Sequence, residues 1–135
     1  MIIIVGVPSM KEIVVTIDNR VGALAQVCEK LGGAGINIES ISAYGDGQKG
    51  IIRFVTGDEV SALSLLSKSG ARASVSDVVV VKANDQPGEL GKITRRLAQH
   101  MVNIESIYLL TKQKGIVEFA IKCDNPAKAQ EAMKK

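Results

Sequence analysis

The chain has 135 residues, enough for one ordinary domain or two very small ones, and it is 46% hydrophobic and 23% charged, so it can bury a core. Its aromatic residues are Tyr44, Phe54, Tyr108 and Phe119, it has no Trp, and His100 is its one histidine. That poverty argues against base-stacking nucleic-acid platforms and histidine-based metal or acid–base chemistry, and a net charge of +3 is too mild to indicate a nucleic-acid partner.

The apolar start, Met1 to Val7, ends at Pro8, far short of a membrane span, and no basic leader marks a signal peptide. Cys28 and Cys123 form no Cys-x-x-Cys pair, so free thiols in a reducing compartment are expected. A soluble cytoplasmic protein, with neither membrane nor nucleic-acid partner, follows from these features.

From Ile13 onward the chain repeats itself. Ile13-Val14-Val15 returns as Val79-Val80-Val81, and Asn37-Ile38-Glu39-Ser40-Ile41 returns letter for letter as Asn103-Ile104-Glu105-Ser106-Ile107, an offset of 66 (103 − 37). At offset 65 (115 − 50), Gly50-Ile51-Ile52-Arg53-Phe54 meets Gly115-Ile116-Val117-Glu118-Phe119, which puts Phe54 and Phe119 at matching positions. The chain is a tandem duplication.

Each copy reads alike. Val- and Ile-rich residues 12–17 and 78–83 predict strands. A polar loop ending in glycine leads to helical spacing at Leu24, Val27, Cys28 and Leu31, and at Leu90, Ile93, Leu97 and Met101. Gly32 to Gly35 stops the first helix; with Gln99-His100-Met101 there, the second is expected to run on slightly. Strands follow at 36–44 and 50–56, and at 102–110 and 115–122, with a slip of phase that predicts a bulge near Ser40 and Ser106. Helices are predicted at 59–68, with Leu63 and Leu66 inward, and at 126–134. Strand, helix, strand, strand, helix, strand is the ferredoxin-like βαββαβ order, an α+β fold. The first unit spans 12–77. The second, 78–135, lacks a last strand, which residues 2–7 are expected to supply, so it takes in 1–11.

Gly45-Asp46-Gly47-Gln48-Lys49-Gly50 matches G-x-G-x-x-G but joins two strands, so it reads as a hairpin rather than a dinucleotide site. His100, late in a helix, reads as a solvated helix end, and Glu39 and Glu105 as exposed or interface carboxylates. No catalytic constellation, metal site or cofactor motif emerges. The strand-to-helix loops remain: Asp18-Asn19-Arg20-Val21-Gly22 and Asn84-Asp85-Gln86-Pro87-Gly88. Each glycine turns the chain into a helix whose first N–H groups favour an anion such as a carboxylate, while the Asp and Asn side chains either accept from an ammonium group or cap the helix.

Asn84 through Leu90, a helix, and Val102-Asn103-Ile104-Glu105-Ser106-Ile107 closely resemble the ACT domain, a small-molecule-sensing module of amino-acid metabolism, and Asp18 to Gly22 with Gly35-Ile36-Asn37-Ile38 resembles a second. The resemblance covers nearly the whole chain and is to stand-alone tandem-ACT proteins. It implies two units side by side in one continuous eight-stranded antiparallel sheet with helices on one face. It also implies a non-catalytic regulatory protein, a homo-oligomer such as a dimer, that binds an amino acid or related carboxylate between units and acts on an amino-acid-metabolism enzyme. The residues so implicated are Asp18, Asn19, Arg20, Val21, Gly22, Ala23 and Leu24 with Asn37 and Ile38, and Asn84, Asp85, Gln86, Pro87, Gly88, Glu89 and Leu90 with Asn103 and Ile104. Copy one has Val21 in place of the usual proline and carries Arg20, a bidentate carboxylate partner, whereas copy two has Glu89 competing for its own helix dipole. A bound carboxylate should therefore favour 18–24 over 84–90. The alternative is a ligand-free interaction module that docks on a metabolic enzyme.

Overall fold

A computed structural model describes residues 2–6, as backbone alone, and residues 10–134. Its elements are β1 (Ile2–Gly6), β2 (Lys11–Asp18), α1 (Ala23–Gly33), β3 (Ser40–Asp46), β4 (Lys49–Thr56), α2 (Glu59–Lys68), β5 (Arg72–Asp77), β6 (Val79–Asn84), α3 (Glu89–Gln99), β7 (Ile104–Gln113), β8 (Ile116–Cys123) and α4 (Pro126–Met133). The described strands hydrogen-bond as two four-stranded sheets, in the orders β3-β4-β2-β5 and β1-β6-β8-β7. One compact unit runs from β2 to β5, and the other from β6 to α4 together with β1.

The N-terminal strand completes the second unit. β1 pairs antiparallel with β6, Ile2 opposite Ala83 and Ile4 opposite Val81; residue 7 lies outside the described residues.

In the first unit, alternate residues Ile13 and Val15 of β2 and Ile52 and Phe54 of β4 face Val27 and Leu31 of α1 and Ala62 and Leu66 of α2, forming one buried core. Val79, Val81 and Ala83 do the same in the second unit, with Ile121, Cys123, Ile93, Leu97, Ala129 and Met133. Both cysteines are free, and burial raises the Cys123 thiol above its ordinary range. Leu24, Leu90 and Met101, expected on the buried helix stripes, are instead exposed, and Ala62 rather than Leu63 is fully buried beside Leu66. The stripe begins one residue earlier, at Ala23 and Glu89.

α3 does not outrun α1. Both end in the same turn: the Ile36 N–H bonds to Leu31 O at 3.0 Å, and the Val102 N–H to Leu97 O at 2.9 Å. The first turn uses Gly35 at φ 75°, and the second forces Met101 to φ 58°. Tertiary context overrides the missing glycine, at a cost of roughly 1–2 kcal/mol for a side chain held left-handed.

The hairpins correct the sequence repeat. Ile13 lies opposite Phe54, and Val15 opposite Ile52. Their counterparts Val79 and Val81 lie opposite Ile121 and Phe119. Phe119 therefore takes the place of Ile52, and Phe54 and Phe119 are not equivalent. The turn explains the slip. The first hairpin turns at Gly47 (φ 65°) and leaves Gly50 inside β4, whereas the second has only Gly115 (φ 75°) to turn with, beside Lys114 at φ 53°. A two-residue slip keeps every side chain on its face, and a shift between Leu109 and Thr111 absorbs the odd residue. The bulge expected near Ser106 appears between Ile104 and Ser106; β3 begins at Ser40, so Ile36 and Ile38 precede it.

Candidate functional site

Helix starts divide into two kinds. α2 and α4 are capped by side chains, Asp58 accepting from the Ser61 N–H at 3.3 Å and Asn125 from the Lys128 N–H at 3.1 Å. α1 and α3 begin instead at Gly22 (φ 87°) and Gly88 (φ 90°), with no side-chain cap. Asp18, Asn19, Asn84 and Asp85 are therefore not helix caps, and the first amides of α1 and α3 keep their anion preference.

Both loops are held in the same way. The Asn19 N–H bonds to Gln48 O and the Asp85 N–H to Gly115 O, each at 2.9 Å, docking the loop on the hairpin turn. Asn19 Nδ2 also donates to Gly47 O at 2.9 Å. The amide lies over Gly45, where an added Cβ would come within 2.6 Å of Asn19 Nδ2.

In the first unit this arrangement leaves two cavities beside the start of α1. One, of about 200 Å³, is lined by Asp18, Asn19, Arg20, Ala23 and Leu24 from the loop and by Ala43, Tyr44, Gly45, Gly50 and Ile52 from the hairpin. It exists because small residues face the helix side: Gly45 opposite Gly50 and Ala43 opposite Ile52. The other, of about 290 Å³, is lined by Asp18, Arg20, Ala23, Gln26, Lys30, Lys49, Ser69 and Gly70 among others. The Arg20 guanidinium donates to Gln26 Oε1 at 3.0 Å along this second cavity. Val21 is fully exposed and Gly22 shapes the turn.

The second unit places larger groups at the matching positions. By strand register, Leu109 takes the place of Ala43, Phe119 of Ile52, Val117 of Gly50 and Lys112 of Gly45. Glu89 stands at the position of Ala23 and is only 3% exposed. Gln86 Nε2 donates to its Oε1 at 3.0 Å and Lys92 Nζ at 3.4 Å, while Oε2 is buried without a partner. The Gln86 hydrogen bond, more than the Lys92 charge, holds this carboxyl below its ordinary range against the opposing effect of burial. Asp85 is paired with Lys112 at 3.4 Å. Pro87 and Leu90 complete the loop, with Leu90 exposed.

Asn37 and Ile38 lie at the opposite end of their sheet, where Asn37 O accepts from the Thr56 hydroxyl and its Nδ2 donates to Glu39. Asn103 and Ile104 match them, the Asn103 N–H donating to Asp124. Within a unit, neither pair meets its own loop. Ala43, Gly45, Gln26 and Lys30 escape a motif reading; the small residues alternating at 43 and 45 were the available signal. His100 is exposed at the end of α3, with Nδ1 3.0 Å from Arg96 O. No cluster of three potential metal ligands occurs among the described residues, and none of the described helices is long and apolar enough to cross a membrane.

The same architecture occurs in known structures. A protein of Bacteroides thetaiotaomicron is 24% identical with a TM-score of 0.81, over 93% of this chain and 88% of that one. The regulatory subunit of aspartate kinase from Thermus thermophilus, in its ligand-free form, is 19% identical with a TM-score of 0.73, over 98% and 93%. Its counterpart from Thermus flavus is 19% identical with a TM-score of 0.72, over 98% and 94%. These likenesses establish the fold. No curated protein matches the sequence. The family profile described as ACT domain pair matches residues 9–135. The duplicated sequence, the paired βαββαβ units and this match agree, and the chain belongs to the ACT domain pair family.

Proposed function

We propose that the chain is a non-catalytic regulatory protein that binds a small amino acid or related carboxylate at the 18–24 loop of its first unit. The observation that carries this reading is the side-chain-uncapped start of α1 opening on a cavity of about 200 Å³. The first-turn amides beyond Ala23, whose own N–H bonds to Arg20 O, suit a carboxylate, Asp18 and the Asn19 carbonyl suit an ammonium group, and Leu24 and Ile52 suit a short apolar side chain. The likeness to aspartate kinase regulatory subunits supports an enzyme of amino-acid metabolism as its partner.

A thermal-shift panel of the twenty amino acids at millimolar concentration tests it. A ligand at about 100 times its Kd adds roughly 2.7 kcal/mol, several degrees for units of this size. Ala43→Leu, which writes the second unit's residue into the cavity wall, is expected to abolish the shift. A flat panel with the wild-type chain would favour an interaction module that takes no ligand.

A further inference from the structure

The second cavity of the first unit is chemically unlike the first. Arg20, Lys30 and Lys49 line it against a single acid, Asp18. Three cations against the one carboxylate of Asp18 leave this lining with an excess of two positive charges. Among the described residues, neither Lys30 nor Lys49 is in an ion pair. Gln26 holds one Arg20 nitrogen and leaves the rest of the guanidinium fork free.

The second unit shows what such a place holds. Positions 86, 89 and 92 match 20, 23 and 26 on corresponding backbone: the Glu89 and Ala23 N–H groups bond to Gln86 O and Arg20 O, and the Lys92 and Gln26 N–H groups to Gly88 O and Gly22 O. Between Gln86 and Lys92 sits a buried carboxylate, Glu89, bonded to both. In the first unit Arg20 stands for Gln86 and Gln26 for Lys92, Lys30 adds a second cation to the lining, and Ala23 leaves the space open.

We infer that the cavity between Arg20, Gln26 and Lys30 is an anion site for a phosphate-type dianion, and that Glu89 is the tethered anion of the corresponding place in the second unit. Two uncompensated cations match a dianion, and the planar Arg20 fork suits phosphate oxygens. Free phosphate and a phosphate monoester share this chemistry.

Equilibrium dialysis of inorganic phosphate and of methyl phosphate with the full chain, against sodium chloride at equal ionic strength, tests the inference. Saturable binding of about one equivalent per chain is expected, as for one specific site. Preference for methyl phosphate assigns an organic phosphate, and preference for inorganic phosphate assigns the free ion. Lys30→Ala, an exposed change that leaves the core intact, is expected to weaken binding about threefold to tenfold. Ala23→Glu, which copies Glu89 into the first unit, is expected to abolish it. No saturable binding by the wild-type chain, or undiminished binding by a folded Ala23→Glu variant, overturns the inference. No amino acid enters the measurement, so a flat amino-acid panel leaves its result standing.

Discussion

In the first unit Ala23 opens α1, and in the second Glu89 opens α3, on loops whose backbone hydrogen bonds correspond. One loop borders two cavities that share Ala23, and Ala43, Gly45 and Gly50 line the first of them. The other has a buried carboxylate at its centre and Leu109, Val117 and Phe119 at the matching strand positions. Duplication preserved the parts that fold, namely the glycine helix starts, the loop-to-hairpin hydrogen bonds and the alternating core. Side-chain size and charge at a few positions then separated an open unit from a self-occupied one. Backbone likeness between copies is therefore no guide to shared ligand chemistry.

The largest expected effect breaks the sequence-level equivalence of Phe54 and Phe119. Phe54 is wholly buried between Ile13 and Ile41, whereas Phe119 is only partly buried, against Val81 and Leu109. Phe54→Ala is expected to cost about 3–5 kcal/mol, and Phe119→Ala about 1–2 kcal/mol, by chemical denaturation. Equal costs would mean that the two hairpins share one register after all.

That register also marks the limit of what the sequence makes legible. Strand and helix order and the fourth strand from residues 2–6 follow from periodicity and from the unpaired edge a lone apolar arm would leave. The helix stripes follow only in part, since Ala23 and Glu89 rather than Leu24 and Leu90 begin them. The slip does not, because the identity of Gly50-Ile51 with Gly115-Ile116 points to one alignment and turn geometry to another. Only the first hairpin has a spare glycine, Gly47, to place at positive φ. The loops were legible as loops, but not the cavity beside them. Its walls include Ala43 and Gly45, whose meaning depends on which strand positions face the helix.

The next comparison concerns charge. Glu89 has its carboxyl held below the ordinary value of 4.5 by Gln86 and then Lys92. A folded-state value below the unfolded one means that folding favours the ionised form. Its contribution is present above the unfolded value and is lost as pH falls through the folded one. Acidification below about pH 4.5 should therefore remove stability that Glu89→Gln lacks at every pH. The wild-type and Glu89→Gln melting temperatures are expected to converge toward pH 3 and diverge toward pH 6. A gap that stays constant with pH would show that the Glu89 side chain acts through packing rather than through its charge.

The smallest effect probes how two different residues end the same helix. Gly35 and Met101 both sit at positive φ with the same hydrogen-bonded turn before them, but only glycine takes that conformation without a side-chain penalty. Met101 is 78% exposed, so replacing it removes little packing. Met101→Gly is expected to stabilise the second unit by about 0.5–1 kcal/mol, and Gly35→Ala to destabilise the first by about 1 kcal/mol, both read as shifts in the denaturation midpoint at constant slope. The gain is smaller than the backbone penalty alone because glycine also enlarges the conformational freedom of the unfolded chain. If Met101→Gly proves neutral or harmful, that entropy equals or exceeds the penalty at 101, and the tertiary context alone suffices to stop α3 where α1 stops.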